Sequence, residues 1–189
     1  MGKEKVHRED AETVAAEIMV HLGVFCEKWQ IAGSIRRKKD MVSDIEILYI
    51  PEIGERPNPG DMFDAAKVNF MDEAIAALES SDILEKRPKE NGQFTYGEFI
   101  KLMRHKKSGV AVDFFACTSE TWWNNLVCRT GGKDSNVAVS TKALQMGYRW
   151  NSTGRGFSSL SNGSVVPVDL EEDVFKFVGL PFLPPENRA

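Results

Sequence analysis

Asp44-Ile45-Glu46-Ile47-Leu48-Tyr49-Ile50 is the stretch on which the reading of this chain turns. It is apolar, rich in β-branched residues and closed by Pro51, so it predicts a β-strand. Successive side chains on a strand point to opposite faces. Asp44 and Glu46 therefore share one face, while Ile45, Ile47 and Tyr49 share the other. Two carboxylates side by side repel unless a cation lies between them. Mg²⁺ or Mn²⁺, which prefer oxygen ligands, suits such a place. The bland reading of the pair alone is an edge strand with its polar residues outward.

Asp113 lies further along as the lone acid of Val110-Ala111-Val112-Asp113-Phe114-Phe115-Ala116-Cys117, which otherwise reads as core. A buried carboxylate without a partner is costly, so this one needs company. A salt bridge, a capping role and a third ligand of a two-metal site all answer that need. Upstream, a short strand over 29–32 runs into Gly33-Ser34-Ile35-Arg36-Arg37-Lys38. A strand that ends in Gly-Ser at a helix start exposes backbone N–H groups and a hydroxyl. With the helix dipole and the arginines, these predict a phosphate cradle.

The rest of the chain supports an α+β architecture with a small mixed sheet flanked by helices. Ala11, Val14, Ala15, Ile18 and Leu22 recur at helical spacing and predict a helix over 10–22, ending near Gly23. A Pro/Gly-rich loop over 51–60 should lead to a second helix carrying Phe63, Phe70, Ala74 and Leu78. Residues 97–105 and 110–117 read as two strands of a hairpin, joined by Lys106-Lys107-Ser108-Gly109. A helix over 138–146, a strand over 165–168 and a helix ending at Gly179 complete a smaller C-terminal lobe. Asp169-Leu170-Glu171-Glu172 has capping-box form at the start of that last helix. The prolines hold 180–185 extended.

Composition narrows the class. Hydrophobic residues are 42% and charged residues 28% of the 189, as in ordinary globular proteins. No apolar run reaches the roughly 18 residues of a membrane span, and the charged N-terminus lacks a signal-peptide core. Cys26, Cys117 and Cys128 are odd in number and form no C-x-x-C pair. They predict buried small hydrophobes in a reducing cytoplasm rather than a disulfide or zinc framework. The net charge of −4 disfavours a nucleic-acid binder at first sight. The bases nonetheless cluster in 36–39, 101–107 and 129–142, and folding could gather them on one face. His7, His21 and His105 show no metal-ligand spacing. Trp122 and Trp123 read as helix core, and Lys106-Lys107 as a solvated hairpin tip.

Gly33-Ser34-Ile35-Arg36-Arg37, then Asp44-Ile45-Glu46, then a distant Asp113 resembles the pattern of the polymerase β nucleotidyltransferase superfamily. Thr130-Gly131-Gly132 followed by Asn136 resembles the nucleotide-binding segment of family X DNA polymerases. Residues 171–186, with Gly179-Leu180-Pro181-Phe182, resemble that family's C-terminal signature. The resemblance runs from about residue 8 to the end of the chain. It implies a nucleotidyltransferase palm over 1–118 and a small α/β thumb lobe over 119–189. It also implies two Mg²⁺ or Mn²⁺ ions held by Asp44, Glu46 and Asp113, with Asp113 facing the primer hydroxyl. Ser34 and Arg37 would hold the β- and γ-phosphates of a dNTP beside Gly33. Thr130, Gly131 and Gly132 would approach the sugar and base, and Asn136 the base's minor-groove edge.

The implied activity is a minimal DNA polymerase, a monomer acting on a DNA primer-template without a membrane. Template-independent transfer to RNA, a protein or a small molecule is the alternative, and a non-catalytic binding module a further one. The chain departs from the pattern in having Glu46 for the commoner aspartate, Cys128-Arg129 for an aromatic pair, and Ser140 for a template-touching arginine. The helix-hairpin-helix motifs and lyase domain that precede the palm in many relatives are expected to be missing.

Overall fold

The computed structural model describes residues 4–58 and 61–188. In chain order they form β1 (Val6–His7), α1 (Arg8–Leu22), β2 (Cys26–Ile31), α2 (Gly33–Arg36), β3 (Met41–Val42) and β4 (Asp44–Pro51). Next come β5 (Ile53–Asn58), β6 (Asp61–Asn69), α3 (Phe70–Ser80), β7 (Leu84–Lys86), β8 (Ile100–His105) and β9 (Ala111–Ala116). The C-terminal part holds α4 (Trp122–Thr130), α5 (Lys133–Gln145), β10 (Tyr148–Asn151), β11 (Gly156–Ser159), β12 (Val165–Pro167) and α6 (Glu171–Phe177).

The principal sheet has the order β2-β4-β9-β8-β7. It is mixed, because β4 and β9 run parallel while the other neighbours are antiparallel. Alternation along these strands gives the sheet two different faces. Ile45, Ile47 and Tyr49 of β4, Met103 of β8, and Val112 and Phe114 of β9 bury themselves against α1 and α3. The stripe Ala11, Val14, Ala15, Ile18 and Leu22 meets them, as its spacing predicts. The opposite face carries Leu48, Ile50, Phe115 and Cys117, which pack under Trp122 and Leu126 of α4.

The C-terminal lobe has its own core of Val127, Val139, Ala143, Phe157, Val168, Val174, Phe175 and Val178. Helix α4 is common to both cores. Trp122 and Leu126, one turn apart, face the sheet, while Val127 on the neighbouring flank faces the lobe. The hairpin of β10 and β11 is pinned to α4, where Trp150 Nε1 donates to Asn124 Oδ1 at 2.6 Å.

Several expectations need correction. Residues 53–58 and 61–69 are the two strands of an antiparallel ribbon, β5 and β6, not a loop leading into a helix, so position 63 lies on a strand. The helix begins at Phe70, where the Asn69 side chain accepts from Asp72 N–H at 3.1 Å. The described side chains of this ribbon are mostly exposed, so no apolar period marks it, and Pro57 reads as loop. Helix α5 starts at Lys133 rather than 138, because its first turn is polar and only Val139 and Ala143 are buried. The strands β10 and β11 were not foreseen. At the start of α6, Asp173 rather than Glu172 reaches back, accepting from Leu170 N–H at 2.9 Å.

The thiols differ among themselves. Cys117 is buried, Cys26 and Cys128 are half-buried, and all three are free. Burial pushes Cys26 up to about 11 and Cys117 up to about 12, so neither is a nucleophile. Among the described residues no helix is long and apolar enough to cross a membrane.

Candidate active site

The parallel register pairs Glu46 with Asp113 and Asp44 with Ala111. Side chains in register on neighbouring strands leave the sheet on the same side. Asp44, Glu46 and Asp113 therefore emerge from one face, on the stretch of β4 and β9 that precedes the residues packed under α4. Asp113 is buried, and Asp44 and Glu46 are half-buried. Arg87 Nη2 donates to Asp113 Oδ1 at 2.5 Å. Arg87 follows edge strand β7 and is seated by its N–H on Leu102 O at 2.9 Å. The lone acid of an apolar strand thus has a cation beside it, one of the alternatives its sequence left open. Arg87 itself escaped the sequence reading. It belongs to no motif, and only the sheet order brings it to Asp113.

An all-carboxylate donor set suits a hard divalent cation. Among the described residues, however, no group of three or more acid, histidine or cysteine side chains gathers closely enough to hold an ion. The donor chemistry of the three acids fits such an ion, and their register sets them on one face of the sheet.

Gly33 and Ser34 are brought to the acids. Ala32 N–H donates to Glu46 O at 2.8 Å, fixing the strand end beside β4. Gly33 has φ +61°, and a Cβ there would sit 3.1 Å from Glu46 Cδ, so both conformation and space favour glycine. Ser34 Oγ is buried and makes no hydrogen bond among the described residues. The helix that follows is a single turn, Gly33–Arg36, so its dipole contributes less to a phosphate cradle than the sequence suggested.

The two arginines of that turn have different partners. Arg37 Nη1 donates to Thr130 O, and its Nε is buried without a hydrogen bond. Gly131 lies directly against it with φ +66°, where a Cβ would come within 3.0 Å of Arg37 Nη1. Residues 130–132 and the Gly33-Ser34 turn are thereby one neighbourhood. Asn136 braces the same segment, its Nδ2 donating to Cys128 O at 2.9 Å while Oδ1 stays buried without a hydrogen bond.

Arg36 instead reaches the C-terminal lobe. It bonds Thr130 Oγ1 at 2.6 Å and both oxygens of Glu171 at 2.7 and 2.8 Å. Arg188 Nη1 adds a contact to Glu171 at 3.3 Å. Burial pushes the Glu171 carboxyl up, but the hydrogen bonds and charges of Arg36 and Arg188 outweigh it and hold the group below its ordinary value.

Arg129 turns away from residues 130–136, its guanidinium lying 3.7 Å over the Phe115 ring. Cys128 points the other way, into a cleft it lines with Lys133, Asn136 and Ser140. Trp122 is core, as expected, and Lys28 Nζ sits 4.4 Å from the ring centres of both Trp122 and Trp123. His105 is buried, with Nδ1 2.8 Å from Ser108 Oγ.

Comparison with known proteins gives these features a setting. Residues 125–189 match the family model described as DNA polymerase beta thumb. Over 178 residues, 93% of this chain, it is 24% identical to the DNA polymerase/3'-5' exonuclease PolX of Bacillus subtilis (strain 168). The chain spans 27% of that relative's length. The fold is α+β, a small mixed sheet flanked by helices with a thumb-like C-terminal lobe attached. Both matches are similarities to DNA polymerases of the family X type.

Proposed function

We propose that this chain is the palm and thumb of a minimal family X-like DNA polymerase, adding dNMP from a dNTP to a primer 3′-hydroxyl. The observation that carries the reading is the pairing of Glu46 with Asp113 across β4 and β9, beside Asp44 and against Gly33. In the reaction the 3′ oxygen forms a bond to the α-phosphorus, the bond to the β-phosphate oxygen breaks, and pyrophosphate leaves. The hydroxyl proton passes to solvent or a nearby base. Two Mg²⁺ or Mn²⁺ ions on Asp44, Glu46 and Asp113 would supply Lewis-acid activation of the hydroxyl and neutralise the leaving charge.

The chain's own residues do the rest by binding and orientation. The partnerless Ser34 hydroxyl and Arg37 hold the β- and γ-phosphates, and Gly131 and Gly132 let backbone approach the sugar and base. The Asn136 side-chain oxygen, buried without a hydrogen bond among the described residues, is the group that would meet the base. Arg87 keeps Asp113 oriented before substrates arrive. The free thiols suit a reducing cytoplasm. Template-independent transfer to another hydroxyl is the second reading. It is favoured by Ser140, which lines a cleft of the C-terminal lobe and stands where the resemblance expects a template-touching arginine.

The test is primer extension on templated, blunt and single-stranded DNA, with dNTPs and with rNTPs. Templated dNMP addition is expected. Asp44→Ala, Glu46→Ala and Asp113→Ala should each lower its rate by about a thousandfold, roughly 4 kcal/mol, with circular dichroism unchanged. Efficient addition to single strands without a template favours the second reading, and no addition by the unaltered chain refutes both.

A further inference from the structure

A cavity of about 330 Å³ lies where α4 crosses the end of the sheet, beyond the acids, and the proposed chemistry leaves it unused. Thr121, Asn125 and Arg129 stand four residues apart, so they form one stripe along α4, and all three line it. The opposite wall is apolar, made by Ile100 of β8 and by Phe115 and Cys117 about the end of β9. Asn125 Nδ2 donates to Thr121 O at 2.9 Å and to Thr153 O at 3.2 Å, so the stripe also ties down the loop after β10. Phe99 completes the rim: Ala116 N–H donates to its carbonyl at 2.9 Å, while its ring is 60% exposed.

The cation in this cavity is not spent on another side chain. Arg129 lays the face of its guanidinium on the Phe115 ring, 3.7 Å from the ring centre, which leaves the N–H edge to other partners. Among the described residues that edge makes no ion pair, and Nε is buried without a hydrogen bond. A buried guanidinium N–H without an acceptor is costly, so an anion there gains both an ion pair and a hydrogen bond. Among the described residues no acid lines the cavity to oppose an anion, and Cys117, pushed up to about 12, stays a neutral thiol. Asp113, two residues back along β9, pairs with Arg87 instead.

We infer that this cavity binds a small planar organic carboxylate, its carboxylate on the edge of Arg129 and its ring against Phe99 and Ile100. The volume is at the lower end of small-ligand sites, enough for one or two fused rings. The site is separate from the proposed nucleotide contacts, because Arg129 turns away from residues 130–136 and faces the sheet. Its occupant touches the sheet, α4 and the loop after β10 at once, so binding stabilises the junction between the sheet and the C-terminal lobe. The inference stands whether or not the chain is a polymerase.

The probe is 2-naphthoate and the comparison its uncharged amide, with binding followed by calorimetry and by the Asn125 side-chain amide signal in nitrogen-edited NMR spectra. The acid should bind with a dissociation constant of about 1 mM or tighter, and the amide at least about tenfold more weakly. Arg129→Gln should weaken binding of the acid about tenfold and of the amide by less than about twofold. Phe99→Ala, which removes a ring that is mostly exposed, should weaken both roughly threefold to tenfold. Pyrophosphate, directed to Ser34 and Arg37 in the proposed function, should not displace the acid. Equal binding of acid and amide, undiminished affinity for the acid in Arg129→Gln, displacement by pyrophosphate, or no binding up to about 10 mM overturns the inference. An Asn125 signal that stays fixed while the acid binds does the same, since the ligand is then elsewhere.

Discussion

The sheet face that carries the acids changes character within two residues. At one end stand Asp44, Glu46 and Asp113; at the other, continuing the same alternation, stand Leu48, Ile50, Phe115 and Cys117. The strands and the pleat are shared, so backbone geometry does not separate the two. The difference is cover. Helix α4 lays Trp122 and Leu126 over the apolar end and removes it from water, and it does not bury the acid end. A charged group under that helix would be costly to desolvate, whereas Asp113, buried outside it, has the Arg87 guanidinium beside it. The apolar half therefore fixes where α4 sits, and the end of α4 brings Thr130 and Gly131 to Arg37.

Leu126→Ala breaks the apolar half without touching an acid. The side chain is fully enclosed between sheet and helix, so its truncation should cost about 3 kcal/mol in denaturant unfolding. A loss below about 1 kcal/mol would mean that α4 is not anchored by this face. Activity at saturating substrate should fall far less than in the carboxylate variants, because the acids keep their strands.

The second tie between the sheet and the C-terminal lobe is polar, and pH sharpens its contrast with the first. Glu171 has a folded pKa held below its ordinary value, so its contribution is present above the unfolded glutamate pKa and is lost as pH falls through the folded one. Glu171→Gln should cost about 2 kcal/mol at pH 7, less than a wholly buried pair would, since both side chains keep some exposure. The gap between variant and parent should be constant from pH 7 to about 5 and narrow below about 4.5. The cost of Leu126→Ala should not narrow in that window. A gap that stays fixed down to pH 3 would show that Arg36 and Glu171 do not carry this tie.

The same contrast explains what was legible in the sequence. Segments that bury one face declared themselves: Ile45, Ile47 and Tyr49 by alternation, and Ala11 to Leu22 by helical spacing. Gly33, with its left-handed backbone against Glu46, marked the turn that joins them. The ribbon of β5 and β6 left no such mark, because its described side chains are mostly exposed. The hairpin of β10 and β11 is too short for a period and is set by contacts to Asn124, 26 residues before Trp150. Arg87 beside Asp113 and Arg36 on Glu171 are pairings at separations of 26 and 135 residues. One chain of letters holds nothing local that links them.

Arg129 lies at the border of the two halves and carries the smallest expected effect. Its guanidinium stacks on Phe115, two residues beyond Asp113 on the same face, and it lines a cleft with Cys117, Thr121 and Asn125. In the proposed reading Cys128-Arg129 stands where the resemblance expects an aromatic pair beside the sugar's 2′ position. Here the arginine faces Phe115 of the sheet, so only Cys128 stands on the side of Asn136. A thiol is a small wall, and exclusion of a hydroxyl by shape reaches only about 1–3 kcal/mol even in a fitted pocket. Selectivity for dGTP over GTP in matched single-nucleotide incorporation should therefore be about tenfold or less. Arg129→Ala should leave that ratio within about twofold while costing about 1 kcal/mol of stability, the worth of a cation–π contact. Cys128→Tyr should raise the ratio, since it rebuilds the wall on the side that faces residues 130–136. A parent that already prefers dGTP by more than about a thousandfold would assign the exclusion to the backbone at Arg129 or Thr130. A large change in the ratio on Arg129→Ala would mean that the arginine leaves Phe115 and turns to the sugar when nucleotide binds.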